Sequence, residues 1–373
     1  MKIVICGING WYIYHFWKEV LIALQEENYR ITIIVQKDFY SEELKKLNFE
    51  VKNINFFNQS INPLYNIKTL ITIYLLYRRI KPDIVHHFNP KPVIFGSLIA
   101  KLLNISFIIN NYPGLGNLFR QDNIKYRLLS FIIYPLYKFI NNNKNIISIF
   151  QVSADINFFK KNKLIGSSKS ILIQSSGVDL KKFYIKENFN KDSRLNVAMI
   201  SRLNNDKGLD TYFKIANSYR DKNINFNLAG QIDSKNFKSE KIFYKYAKMN
   251  NVKYFGFIDN ISNYLKKIDV IILPTRRYEG IPKILIESAA SGIVMIASSI
   301  GGCKEVIQDE YNGFLINFDN QTFNIIQKIN QLDKNRNLLQ KMGYNARKSV
   351  EEKFDINFIK NSYIDVYKKI KIK

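Results

Sequence analysis

The chain has 373 residues, 46% of them hydrophobic, enough for two domains of ordinary size with proper cores. Its two cysteines, Cys6 and Cys303, lie far apart, which excludes a disulfide framework and a Cys-based metal cluster and points to a reducing cytoplasm. The formal charge of +25 accompanies a wealth of Asn, Ile, Tyr and Phe, the composition that AT-rich codons produce, so its distribution says more than its total. Residues 1–50 carry six Lys/Arg and seven Asp/Glu, whereas 51–182 carry eighteen against four. Such a region suits an anionic surface, and without a helix-turn-helix, zinc-finger or RNP-type motif the surface is expected to be membrane rather than nucleic acid.

Met1-Lys2-Ile3-Val4-Ile5 reads as a buried first strand, not as a signal peptide. Strand candidates at 2–6, 31–35, 84–88, 106–110 and 146–150 alternate with helical stretches at 13–27, 63–80, 92–103 and 122–141, the pattern of a doubly wound domain. After the first strand, Gly7 and Gly10 let a ligand approach the backbone, but no third glycine completes a dinucleotide fingerprint. The histidines are His15, at the start of the first helix, and His86 and His87. The last two, followed by Lys91, end a strand at its carboxyl edge, where open α/β sheets bind ligands. A lone histidine is usually structural, and no third ligand or Asp-x-Asp accompanies this pair, so no metal site is expected. Ile124 to Ile140 is apolar almost all round and bracketed by Lys125, Arg127 and Lys138. Its central Leu128–Ile133 segment is expected to fill a core and its aromatic and basic flanks to meet a membrane. Leu128 to Tyr137 is the longest nearly uncharged run and too short to span a bilayer.

A polar link at 186–194 reads as a hinge, with domains expected at 1–183 and 184–355. The second series places strands near 195–201, 224–229, 252–256, 269–273, 294–297 and 313–316, with helical periodicity from 321 onward and a last segment at 356–373. Its centre is Tyr278 to Ile316, where Glu279 and Glu287 stand eight positions apart. Val270-Ile271-Ile272-Leu273 reads as a buried parallel strand, Pro282 suits the first turn of the helix that follows and Gly292 its stop. Free N–H groups and the positive end of the helix dipole at residues 280–283 make an anion site fit for a nucleotide diphosphate. Glu287 is then placed to accept from a ribose diol, and Glu279 to hold hydroxyls of a sugar beyond the diphosphate. The competing reading makes Glu279 a helix cap and Glu287 an i, i+4 partner of Lys283.

Glu279-x7-Glu287 with Gly280, Pro282, Gly292, Gly301-Gly302, Glu305 and Asn312-Gly313 resembles the family-four retaining glycosyltransferases of the GT-B fold. Ser201-Arg202-Leu203 with Lys207-Gly208 resembles the family's diphosphate clamp, and Ser176-Gly177-Val178-Asp179 with Phe183 its domain-closing turn. Thr275 and Ile293-Val294 depart mildly, at positions outside the proposed contacts. Val85 to Pro92, Gly96-Ser97-Leu98 and Gly114-Leu115-Gly116 resemble bacterial enzymes of surface-polysaccharide assembly.

The resemblance implies two Rossmann-like α/β domains facing a cleft, acceptor-binding first and donor-binding second, with the C-terminal helix crossing back. It implies transfer of a hexose or N-acetylhexosamine from a UDP-linked donor to a saccharide on undecaprenyl diphosphate, at the cytoplasmic face of the bacterial plasma membrane. Arg202, Lys207 and Glu279 are the expected catalytic residues. Gly280, Ile281, Pro282, Glu287 and Gly10 are the expected donor contacts, and His15, His86, His87 and Lys91 the acceptor-side candidates. No cofactor, metal or nucleic acid is expected. A nucleotide-sugar epimerase on a similar scaffold, or a non-catalytic sugar-nucleotide-binding membrane partner, are the rival readings.

Overall fold

The computed structural model describes residues 1–56, 62–115, 124–185, 194–219, 224–233, 240–249 and 251–370, with the backbone alone at 124–126, 240–242 and 249. The chain forms two compact units, Met1–Gly177 with Ile356–Lys373, and Val178–Asp355. Of the expected hinge only Arg194 lies within the described residues, and Gly116 lies outside them.

The first unit runs β1 (Lys2–Asn9), α1 (Gly10–Glu26), β2 (Arg30–Gln36), α2 (Phe39–Lys46), β3 (Glu50–Asn53), α3 (Pro63–Ile80), β4 (Ile84–Phe88), α4 (Pro90–Leu102), β5 (Phe107–Tyr112), α5 (Ile124–Asn141), β6 (Ile146–Phe150), α6 (Ser153–Lys161) and β7 (Lys169–Leu172). Its parallel sheet has the order β3-β2-β1-β4-β5-β6-β7. The central strands bury both faces, so they read as unbroken apolar runs; all five residues of β4 are buried. β3 and β7 escape the sequence reading because they are four-residue edge strands, Glu-Val-Lys-Asn and Lys-Ser-Ile-Leu, with both ends exposed.

The second unit runs β8 (Leu195–Ile200), α7 (Leu209–Asn217), β9 (Ile224–Ala229), α8 (Glu240–Met249), β10 (Val252–Tyr254), α9 (Ile261–Leu265), β11 (Val270–Leu273), α10 (Lys283–Ala290), β12 (Val294–Ser298), α11 (Cys303–Val306), β13 (Gly313–Ile316), α12 (Gln321–Lys334) and α13 (Arg336–Lys353). Its parallel sheet has the order β10-β9-β8-β11-β12-β13. Val178 and Phe183, assigned by sequence to the first domain, are buried with Leu285, Ile286 and Phe354 in the second unit's core, which moves the boundary back to Gly177.

The last helix, α14 (Ile356–Lys368), packs on α1 of the first unit and inserts Ile359, Tyr363 and Tyr367 into the core that holds Trp17 and Leu24. Two buried hydrogen bonds fix it: Asn111 Nδ2 donates to Tyr363 Oη at 2.7 Å, and Tyr367 Oη pairs with His86 Nδ1 at 2.7 Å. On the opposite side of the sheet, Ile73 and Tyr77 of α3 and Ile99 of α4 bury against Val4 and Val85. Tyr137 and Ile140 of α5 pack beside α4 and β6. Of the core expected at Leu128–Ile133, Ile133 packs against the cluster of Tyr137 and Ile140, but Leu128, Phe131 and Ile132 are 60%, 72% and 64% exposed. A helix apolar all round does not announce which of its faces a neighbour will cover, and here α4 and the sheet cover the face of Tyr137 and Ile140.

Candidate active site

In each sheet the strand order reverses beside the unit's first strand, between β1 and β4 and between β8 and β11. At such a switch point the loops leaving adjacent strands diverge and open a crevice at their carboxyl ends. In the second unit the loops after β8 and β11 carry Arg202, Lys207 and Glu279.

Backbone and side chains zip these two loops together. Asp206 O accepts from Arg276 N at 2.8 Å and Thr275 Oγ1 at 3.2 Å, while Arg276 Nη2 donates to Asp210 Oδ2 at 2.6 Å. Asn204 Oδ1 accepts from Lys207 N at 3.1 Å and holds the 3₁₀ turn Asn205–Lys207. Lys207 Nζ therefore meets Glu279 Oε2 directly, while Thr275 Oγ1 donates to Glu279 Oε1 at 2.6 Å. The ion pair is shielded, its side chains only 15% and 19% exposed. Arg202, at the end of β8, is exposed, and no described group pairs with its guanidinium. The site thus joins a neutralised Lys–Glu pair to an exposed cation.

Behind Glu279, Gly301-Gly302 press on the loop: Gly302 N donates to Glu279 O at 3.1 Å, and a Cβ on Gly302 would come within 2.3 Å of Gly280 O. Gly280, Ile281 and Pro282 lead into α10, whose N-cap is Pro282 with no side-chain cap; Leu285 N turns back to Pro282 O at 3.0 Å. Glu279 is not a capping acid. Glu287 lies one turn further along; burial pushes its carboxyl up to about 7 against the pull of Lys283. No described group hydrogen-bonds to that carboxylate.

In the first unit the acceptor-side candidates separate. His15 is exposed near the carboxyl end of β1, its ring 4.6 Å from Tyr40 and 5.1 Å from Trp11. His86 and His87 face inward, 2% and 0% exposed. His87 hydrogen-bonds Tyr77 Oη and Asn110 Oδ1, each at 2.9 Å, and burial lowers its pKa to about 4. Burial holds His86 well below its ordinary value too. Their side chains cross-link the interior of the unit instead of presenting themselves at the edge. Lys91 Nζ donates to Phe56 O and Asn66 Oδ1, both at 3.2 Å, tying α4 to α3. Gly10 is pressed by α2: a Cβ there would lie 2.3 Å from Asp38 Oδ1.

Two family models divide the chain between them, Glycosyl transferase 4-like over residues 3–151 and Glycosyl transferases group 1 over residues 181–349. The chain belongs to the GT-B glycosyltransferases. Over 99% of both lengths this glycosyltransferase is 27% identical to the N,N'-diacetylbacillosaminyl-diphospho-undecaprenol alpha-1,3-N-acetylgalactosaminyltransferase of Campylobacter jejuni. It is 26% identical to the UDP-Gal:alpha-D-GlcNAc-diphosphoundecaprenol alpha-1,3-galactosyltransferase of Escherichia coli, over 83% of this chain and 82% of that one. Its fold matches HepE of Anabaena in complex with UDP, TM-score 0.80 at 14% identity, covering 99% of this chain and all of that one.

Sequence reasoning missed one part of the glycosyltransferase's site. Thr275, set aside as a departure outside the contacts, donates the hydrogen bond that orients Glu279. Its signal was position: a hydroxyl two residues past a buried strand and four before the glutamate. Among the described residues the second unit offers an exposed guanidinium with no partner, an ammonium held by a carboxylate, and a helix start with no side-chain cap. All three answer negative charge.

Proposed function

We propose that this glycosyltransferase moves a hexose or N-acetylhexosamine from a UDP-linked donor to a saccharide carried on undecaprenyl diphosphate, with retention of anomeric configuration and without a metal. The observation carrying the acceptor class is the end-to-end similarity to the Campylobacter enzyme. The chemistry rests on the residues of the second unit. Arg202, Lys207 and the N–H groups of α10 meet the charge that develops on the departing diphosphate. Glu279 sets the direction of Lys207 Nζ and offers its carboxylate to hydroxyls of the donor sugar. Glu287 accepts from the ribose diol. The bond from C1 to the diphosphate oxygen breaks while the acceptor oxygen bonds C1 on the same face, and the acceptor's proton passes to the departing oxygen. No separate base is needed. On this reading Arg202, Lys207 and the start of α10 supply the positive charge, and no divalent cation is needed.

On this reading the enzyme works at the cytoplasmic face of the plasma membrane as a peripheral protein; among the described residues no helix is long and apolar enough to cross a membrane. The test is incubation with a panel of UDP-sugars and a synthetic polyprenyl-diphosphate saccharide. Elongated lipid-linked product is expected. Epimerised donor with no elongation, or donor binding without turnover, contradicts the proposal.

A further inference from the structure

The face of the first unit formed by α3, α4 and α5 leaves apolar side chains uncovered. On α3, Leu64, Ile67, Ile71 and Leu75 are 72%, 51%, 54% and 57% exposed. Their spacing of three, four and four keeps them on one side of the helix, and Lys68, Arg78 and Arg79, also exposed, fall within the same third of its circumference. α5 repeats the arrangement: exposed Leu128, Phe131, Ile132 and Phe139 form its outer stripe, with Arg127 and Lys138 exposed beside them. α4 packs between α3 and α5 and adds Leu102, 66% exposed.

Charge selects the occupant. The three helices carry three, two and three Lys/Arg, and no Asp or Glu. A second copy of this chain would oppose cation to cation with no acid on these helices to answer. Nucleic acid would leave the aliphatic stripes unsatisfied. Apolar groups that enter the acyl boundary, ringed by cations that meet phosphates, describe the interface of an anionic leaflet.

We infer that α3 and α5 together form a membrane-docking face, α3 contributing an apolar stripe as long as that of α5, and that the first unit lies on anionic lipid through both. The inference rests on the acceptor being carried by a lipid, and it adds the surface that brings the enzyme to it. Docking at two stripes on neighbouring helices also fixes the unit's orientation on the bilayer, which one helix alone would leave free to roll.

The test uses the full chain with vesicles of phosphatidylcholine alone and of phosphatidylcholine with phosphatidylglycerol. The variants are Ile67→Gln/Ile71→Gln/Leu75→Gln on α3, Phe131→Gln/Ile132→Gln on α5, and Arg78→Gln/Arg79→Gln/Arg127→Gln/Lys138→Gln. All change exposed side chains, so their melting temperatures should match the parent's. The parent should sediment with the anionic vesicles only, and release in high salt. Each variant should bind at least about tenfold more weakly, yet elongate a short-chain, water-soluble acceptor at the parent's rate. A parent that ignores anionic vesicles overturns the inference, and so does an α3 variant that binds like the parent. A parent that is dimeric by light scattering while the α3 variant is monomeric would make this face a self-association surface instead. Vesicle binding with no turnover on either acceptor would defeat the proposed function while leaving the docking face in place.

Discussion

Lys207 and Arg202 are both cations at the carboxyl end of one sheet, but they stand in different states. Lys207 is held by Glu279, whereas Arg202 is exposed and has no partner among the described residues. Replacing either by Ala should lower turnover by on the order of a hundredfold, the cost of losing a charged contact to a leaving group. Only Lys207→Ala should also shift the melting temperature, because it leaves Glu279 half-buried with Thr275 alone; thermal melts and steady-state rates separate the two. Glu287 makes a different prediction. Its carboxyl is pushed from an ordinary 4.5 up to about 7, so between those values the folded protein keeps a proton that the unfolded chain has lost. Stability from this group is present at low pH and is lost as pH rises through about 7. The unliganded Glu287→Gln protein should match the parent near pH 4 and become the more stable of the two above pH 7, while binding bare UDP more weakly by calorimetry. Equal stability across the range would remove the desolvation argument. The places of Glu279, Glu287, Arg202 and Lys207 at strand ends and on a helix were legible in the sequence, while the roles expected of them came from the family resemblance. The part of Thr275 was not legible, because a hydroxyl's partner depends on the path of a turn, and the path is set by Asp206 in another loop.

The elements hold the site by close approach of two loops. Gly208, at φ +78°, would place a Cβ 2.1 Å from Pro274 O, so this glycine lets the turn after β8 press on the loop after β11. Gly256 has nearly the same φ, +72°, but nothing lies within 4 Å of its would-be Cβ. Gly256→Ala should therefore cost only the left-handed backbone penalty, about 1–2 kcal/mol. Gly208→Ala should cost clearly more by denaturant unfolding, and should lose turnover because Lys207 is displaced. If the two variants behave alike, contact between the loops does not position Lys207. At this scale the second sheet was read nearly strand for strand, since its strands are buried on both faces and bounded by polar loops. α5 was misjudged: its sequence states that it is apolar, while only α4 and the sheet decide that Tyr137 is covered and Phe131 is not.

Over the whole molecule, each unit is built on a parallel sheet whose order reverses beside its first strand, and in the second unit the loops at that point carry Arg202, Lys207 and Glu279. The doubly wound pattern of both was visible in the alternation of apolar runs and helical stretches, and the short edge strands β3 and β7 were hidden because half of their surface is solvent. The inward turn of His86 and His87 was equally hidden: a strand's end does not tell which way alternate side chains point until its neighbours are placed. Since the positive charge at the second switch point comes from Arg202, Lys207 and α10, activity should persist in excess chelator. Loss in chelator, restored by Mg²⁺ or Mn²⁺, would show that these groups do not suffice. Retaining transfer to a lipid-linked sugar is tested by NMR of the new glycosidic linkage. The product should come from a UDP-α-sugar and a synthetic undecaprenyl-diphosphate saccharide. An α-linkage on the lipid-borne sugar is expected. A β-linkage, or UDP-sugar consumed with no new linkage on the lipid, would contradict it.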